Sequence, residues 1–533
     1  MDMIYNIFNF KWQYKGEIYM AKDFLEEFIP DLEEFKEKTM AFHNKKMTVA
    51  EYKGFSGGFG SYAQRGGEKH MLRLRLAGGQ VTKDKLEFIS ELCGKYDVSL
   101  AKLTTCQSIQ LHNLEAKDLC DMIESVWRAG MVSRGGGGDF PRNVMASPLS
   151  GVQEGENFDV LPYARETADY LMNFIKAVKF PRKLKVCFSN SSTNETHATF
   201  RDLGFVSRPD GKFDVYIAGG LGNKHKLGVK AAEGTEPSKV LYYAKAMVDT
   251  FVSYGNYTNR AQSRTRFLQD TLGIDGLKKA FLEKLDNAFK NEELDICPEP
   301  YIISKKDDGT RVSGRRVTAQ KQTGLYAVFY QPAGGKIAPS KFRELYDLIK
   351  DMEDVELRIT PEEGLYIINC NGTEAEKVLE ATEDGASTIF ETSVACIGNQ
   401  ICQVGVGDSQ ELLGMCIDAV RKENFADGVL PQIHISGCPS SCAAQQIAEI
   451  GFRGAIKQSP DGPKKAFAIY TGGCPYQGRE NLSDFGKSII AEAIPQFLVE
   501  LGKIISGQNT TYDKWIKDNG QKLDELICKY AEM

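Results

Sequence analysis

The chain has 533 residues, 42% hydrophobic and 26% charged, with 66 Lys and Arg against 72 Asp and Glu. That balance fits about two to four globular domains, and a formal charge of −6 gives no overall basis for binding nucleic acid or an acidic membrane. Any basic site is a local cluster, and no apolar run reaches the roughly 18 residues that span a bilayer.

The N-terminal stretch MDMIYNIFNFKWQYKGEIYM carries an acid at position 2, no sustained apolar core and no small-residue cleavage site. It is not expected to be a secretion signal, and Met20 is an alternative start. Residues 1–60 are assigned to an N-terminal arm, charged and amphipathic from residue 21 onward. Thirteen cysteines, odd in number and scattered, point to a reduced cytoplasm rather than a disulfide framework.

Beyond the arm, the chain is organised by repetition. Residues 71–112 (MLRLRLAGGQVTKDKLEFISELCGKYDVSLAKLTTCQSIQLH) lie on 327–368 (AVFYQPAGGKIAPSKFRELYDLIKDMEDVELRITPEEGLYII) without a gap. Gly78 and Gly79 fall on Gly334 and Gly335, Leu86 on Phe342, Ile89 on Leu345, and Thr104 on Thr360. Each copy predicts a strand, a glycine turn, an amphipathic helix and a strand pair. Later segments rhyme more loosely: FPRKLKVCFSNSS, RDLGF and DGKFDVYIAGG in the first half, LPQIHISGCPSSC, AEIGF and DGPKKAFAIYTGG in the second. The reading is a duplicated unit of about 250 residues. Repeats occupy 61–130 and 310–385, larger half-domains occupy 131–300 and 386–533, and a linker lies near 300–315.

Two basic pairs emerge from strand alternation. In MLRLRL, Leu72, Leu74 and Leu76 share one face, and Arg73 and Arg75 the other. In RKLKVCF, Leu184, Val186 and Phe188 face inward while Lys183 and Lys185 project together. Arg142 comes just after the glycine run in GGGGDFPRNV. Such pairs are often only solvated strand faces, but several together suit an oxyanion.

The second half adds CIGNQIC (Cys396, Cys402) and CPSSC (Cys438, Cys442), where the matching first-half loop has only Cys187. Four thiolates in two pairs suit a cubane cluster with one sulfur per iron. Zinc knuckles favour shorter spacings, though zinc and plain buried thiols remain competing readings.

With these motifs the sequence resembles the siroheme-dependent sulfite and nitrite reductase family, from about Lys53 to about Gly507. The resemblance implies an α+β fold: a pseudo-twofold duplicated architecture with paired ferredoxin-like repeats plus two α/β domains that bind siroheme and cluster. It implies siroheme and a 4Fe-4S cluster as cofactors, with Cys396, Cys402, Cys438 and Cys442 on the cluster and Cys442 also on the siroheme iron. Arg73, Arg142, Lys183 and Lys185 match the family's substrate-binding cations. Arg75, Thr104, Gln110 and Arg182 are the further candidates for siroheme contact. The pair Lys183 and Lys185 favours sulfite, reduced by six electrons to sulfide, over nitrite. With no flavin or nicotinamide motif in the sequence, ferredoxin or a similar protein is the expected donor. Two positions depart from the family: Cys106 stands where LTTRQ has Arg, and Ser440 stands where CPNxC has Asn.

The alternatives are a nitrite reductase making ammonia, a cobalamin-pathway oxygenase of the same architecture, and an iron–sulfur sensor without turnover. GGGG at 135–138 lacks the setting of a dinucleotide fingerprint. GFSGGFGSY at 54–62 reads as a flexible approach loop, Cys416 as core, and the six histidines as structural or exposed.

Overall fold

Alternation in HMLRL makes the strand His70–Leu74, with Leu72 and Leu74 fully buried. The spacing of Leu86, Ile89 and Leu92 makes the helix Lys83–Lys95, whose first turn is capped by the Thr82 hydroxyl accepting from Lys85 N–H. Between them Gly78 and Gly79 take φ of +61° and +71°, and Gly334 and Gly335 take +57° and +69°, so both copies need glycine at this turn. The computed structural model describes residues 27–460 and 462–532; the expectations for the first twenty-six residues lie outside it.

In the first repeat, Ser61–Ala63, His70–Leu74, Ile109–Leu114 and Leu100–Leu103 lie side by side in that order. Val317–Ala319, Tyr326–Tyr330, Leu365–Cys370 and Glu356–Ile359 do the same in the second. Each sheet is completed by a short strand from the other copy. Lys336–Ile337 pairs with Lys102 and Ala101, and Gln80–Val81 pairs with Arg358 and Leu357. Two residues carry no periodicity, so the sequence pattern predicts neither strand. One core runs through both repeats, from Leu72 and Ile89 to Phe342 and Ile367.

The larger halves also correspond. Met145–Ala146, Val186–Ser189 and Leu203–Ser207 run parallel, followed by the antiparallel Phe213–Ile217 and Val229–Thr235. Val394–Ala395, Ile433–Ser436, Ile450–Ser459, Gly462–Thr471 and Ser488–Ile490 repeat that order and sense. The fold is the duplicated α+β architecture the sequence predicts. Residues 300–316 carry no helix or strand.

Two local readings need correction. Lys183 and Lys185 lie just before the strand Val186–Ser189, where Leu184 still bridges to Pro141 and keeps the alternation. The 54–62 segment is not a flexible approach loop. Gly57, Gly58 and Phe59 are buried, and Gly135 N–H donates to Gly58 O at 2.8 Å. A Cβ on Gly137 would lie 2.5 Å from Gly57 O, so the two glycine runs pack backbone to backbone.

A buried ion pair joins the repeats. Lys102 Nζ lies 2.9 Å from Glu363 Oε1, both side chains 3% exposed, and also donates to Gly334 O at 2.7 Å. Glu363 in turn accepts from Ala395 N–H at 3.2 Å, just as Gln107 in the first repeat accepts from Ala146 N–H at 3.0 Å. Burial pushes the Glu363 carboxyl up to about 7 in spite of Lys102. The folded state therefore holds this proton more tightly than the unfolded chain, and the contribution of Glu363 to stability falls as pH rises through about 4.5 to 7. Glu363→Ala leaves the Lys102 ammonium buried without its partner and is expected to cost about 3–5 kcal/mol in a denaturant titration at pH 8. Adding Lys102→Met should recover most of that loss; no recovery would contradict the pairing.

Candidate active site

Cys396 follows Val394–Ala395, and Cys438 lies just beyond its parallel neighbour Ile433–Ser436, so both cysteine motifs begin at adjacent strand ends. Gly437 N–H donates to Cys396 Sγ at 3.1 Å, and the Ser409 hydroxyl lies 3.1 Å from the same sulfur. Positive φ at Ser441 (+52°) and Ala444 (+57°) folds CPSSCA into a tight turn presenting Cys442. Cys438 is buried, Cys396 and Cys402 are half-buried, and Cys442 is exposed. Burial and then Cys396 push the Cys442 thiol up to about 12; Lys183 opposes the rise, while Cys438 and Cys402 add to it. The four sulfurs are thus electrostatic neighbours. Cys442 is both exposed and densely surrounded because it lines the wall of an open cavity.

Thr105, Lys183, Lys185, Arg201 and Arg264 line that cavity beside Cys442. The Thr105 hydroxyl, from the first repeat, donates to Cys442 O at 2.7 Å. Arg73 and Arg142 converge on one carbonyl, Gly136 O, at 2.5 and 2.6 Å. Burial, then Lys185, Arg264 and Arg142, push the Lys183 ammonium well below its ordinary range, while Cys442 acts the other way. Lys185 is likewise lowered by burial, opposed by Cys106. Lys183, Lys185 and Cys442 therefore line one cavity, while Arg142 acts on Lys183 and Arg73 on Cys106 from beyond its lining.

The remaining candidates sit further back. Arg75 is 8% exposed, and its guanidinium donates to Arg134 O at 2.9 Å and Arg142 O at 3.0 Å, bracing the glycine-rich segment. The Thr104 hydroxyl accepts from Ser108 N–H at 3.2 Å and shapes the turn that carries Thr105. Gln110 is buried on the strand beside Arg73. Arg182 pairs with Asp139 at 2.7 Å, which Arg260 also holds at 2.7 Å. Cys416 is fully buried on the helix Ser409–Arg421.

Sequence reading misses Arg201 and Arg264. Arg201 Nε donates to Thr196 O at 3.1 Å, and Arg264 pairs with the fully buried Asp202 at 2.8 Å. Asp202 also accepts from Lys185 N–H at 2.8 Å, tying the lysine segment to Arg264. Arg201 stands alone, and Arg264, though two residues from Arg266, has no flanking apolar alternation to mark a strand face, so only the tertiary fold reveals them. A roomier groove between Tyr216, Lys230 and Gln477 contains none of the candidates.

Comparison with known proteins bears on the family and the fold. The nitrite/sulfite reductase ferredoxin-like half domain matches residues 62–126 and 318–384, and the nitrite and sulphite reductase 4Fe-4S domain matches 137–289. Together they match more than half of the chain. The chain belongs to the nitrite and sulfite reductase family. It is an oxidoreductase. A chloroplastic ferredoxin–nitrite reductase of Betula pendula is 25% identical over 76% of this chain and 71% of its own. A sulfite reductase [ferredoxin] of Mycolicibacterium paratuberculosis is 24% identical over 79% and 75%. The solved Mycobacterium tuberculosis NirA protein shares the fold, with a TM-score of 0.74 at 20% identity over 94% of this chain and 97% of its own.

The family's cofactors are siroheme and a 4Fe-4S cluster, and the residues present fit both. Cys396 Sγ accepts from the N–H of Gly437, the residue before Cys438, and all three other cysteines act on the Cys442 thiol, yet no three His, Cys, Asp or Glu side chains among the described residues close around a single ion. A cube needs its four thiolates held apart at the corners. Buried Arg142 Nε and Arg264 Nε have no hydrogen-bond partner, as suits guanidinium groups facing an anionic macrocycle or substrate.

Cys106 is the unusual member of this group. Burial raises its thiol pKa, but Lys185, Arg201 and Arg73 together bring it down to about 6. Iodoacetamide labelling of the Cys106 peptide, followed by mass spectrometry from about pH 5 to 9, is expected to show a midpoint near 6. Lys185→Met should move that midpoint upward. An ordinary thiol midpoint in the unaltered protein would contradict the pairing.

Proposed function

We propose that the protein reduces sulfite to sulfide by six electrons, using electrons from a ferredoxin or similar donor. The observation that carries this reading is the placement of both Lys183 and Lys185 beside Cys442 in one cavity. A three-oxygen anion approaching a dianion in charge suits two ammonium groups better than nitrite does. The proposed domains are 61–130, 131–300, 310–385 and 386–533, with the four cysteines as cluster ligands and Cys442 shared with the siroheme iron.

When bound, siroheme would supply the iron at which the anion is reduced, and the cluster would supply the electrons. The chain's own groups hold and protonate the substrate. Arg73 and Arg142, with guanidinium groups fixed on Gly136 O, orient anionic oxygens. Lys183 Nζ is crowded by Lys185, and Lys185 Nζ by Arg201 and Arg264, so each gains proton affinity as an anion binds. Each then yields a proton to an oxygen leaving as water, which relieves the crowding of cations. Thr105 and the turn held by Thr104 fix the backbone of Cys442 against this cavity.

Nitrite is the second reading, favoured by the ferredoxin–nitrite reductases among the relatives. None of the thirteen cysteines is paired in a disulfide, which supports a cytoplasmic setting, and no described helix is long and apolar enough to cross a membrane. Steady-state kinetics on both anions with reduced methyl viologen tests the choice: kcat/KM for sulfite is expected to exceed that for nitrite. Lys185→Asn should move the ratio towards nitrite by about tenfold, and Cys442→Ser should remove the chlorin-type visible bands. A ratio favouring nitrite in the unaltered enzyme would overturn the sulfite reading. Retained bands in Cys442→Ser would overturn the shared-ligand assignment.

A further inference from the structure

We propose that Arg65, from the first repeat, is a positioning residue for the iron–sulfur cluster in the second half, fixing the loop of Cys402 and placing a positive charge beside it. Arg65 lies at the tip of the hairpin between Ser61–Ala63 and His70–Leu74. The base of that tip is rigid: Gln64 is 5% exposed and exchanges hydrogen bonds with Asn113 at 3.1 and 3.2 Å. From there Arg65 reaches across the molecule. Its backbone N–H donates to Ile401 O at 2.8 Å, and one guanidinium nitrogen donates to Cys402 O at 3.1 Å and to Gly405 O at 2.9 Å.

The loop it grips has little apolar packing of its own. Val404 and Val406 are 50% and 40% exposed. Internal hydrogen bonds, Cys402 N–H to Gly398 O at 3.0 Å and Gly405 N–H to Cys402 O at 3.2 Å, fold the loop, and its far end is tied down where Val406 and Gly407 N–H both donate to Gly437 O at 2.9 Å; Arg65 holds the stretch before that anchor. The clamp from Arg65 therefore opposes departure of the Cys402 thiolate. A guanidinium on the carbonyl of a ligand residue also favours the more negative, reduced cluster, because hydrogen bonding and local charge set cluster potentials. Sequence alone does not point to Arg65: it sits in a polar hairpin tip, QRGGEK, with no partner near it in the chain.

The inference rests on the assignment of the four cysteines to a cluster, and its test separates the two. Unaltered holoenzyme, Arg65→Ala, Arg65→Lys and a control, Arg128→Ala, which removes an exposed guanidinium paired with Glu124, are purified without oxygen. Iron per chain, iron loss to a chelator, and the cluster midpoint from a dye-mediated titration read by electron paramagnetic resonance are measured. Arg65→Ala is expected to lose iron about tenfold faster, the scale of one charge-assisted hydrogen bond, and to show a more negative midpoint. Arg65→Lys should keep the midpoint close to the original while losing iron at an intermediate rate, since a lone ammonium restores charge but not the paired grip. The control should behave as the unaltered enzyme. Arg65→Ala with unchanged iron loss and midpoint overturns the inference; if that variant retains no iron, Arg65→Lys losing iron no faster than the unaltered enzyme overturns it instead. Unaltered enzyme lacking cluster iron sinks the cysteine assignment and the inference with it.

Discussion

The reciprocal exchange of two short strands governs the rest of the molecule. Gln80–Val81 completes the sheet of the second repeat, and Lys336–Ile337 completes that of the first. With each copy supplying an edge the other lacks, neither sheet is whole alone, and one core fills both. Lys102 and Glu363 lock the same junction from inside. This fusion is what allows groups far apart in the chain to share a site. Thr105 reaches Cys442, and Arg65 reaches Cys402, only because the repeats cannot drift relative to one another.

Crowding of like charge at the cavity is the other organising fact. Lys183, Lys185, Arg201 and Arg264 stand together, with Asp202 holding Arg264 and the backbone of Lys185. Such an arrangement costs stability in isolation, because buried ammonium groups repel one another and lose hydration. Local rules of folding do not produce it. Sites where those rules are broken are expected to be functional, since an anion restores the balance.

Much of this was legible in the chain. The repeat from 71–112 to 327–368 is held in register because both copies bury equivalent residues, Leu86 and Phe342, Ile89 and Leu345. Alternation placed Lys183 and Lys185 on one side even though they precede the strand itself. Other features had no local signal. Exchanged strands of two residues are too short for a period. Arg201 and Arg264 reach the cavity from separate irregular segments. Glycine-rich stretches at 57–60 and 135–138 resemble open loops in sequence, whereas each is there so that the other's backbone can approach.

Duplication also explains why only one of two equivalent basins suits an anion. Positive φ at Asn194 (+55°) and His197 (+64°) repeats the turn at Ser441 and Ala444, so Glu195 occupies the place that Cys442 holds in the other half. In the aligned repeats Glu362 falls on Cys106, Phe329 on Arg73 and Gln331 on Arg75. Burial and the neighbouring Glu362 push the Glu195 carboxyl up to about 7. The backbone geometry is retained while the charge is inverted: cations gather around a thiolate in one basin, and carboxylates meet in the other. The first offers an anion several positive groups, whereas the second offers carboxyl groups, of which Glu195 holds its proton up to about 7. One backbone architecture, built twice, thereby carries opposite chemistry in its two halves, and the difference between them is electrostatic rather than topological.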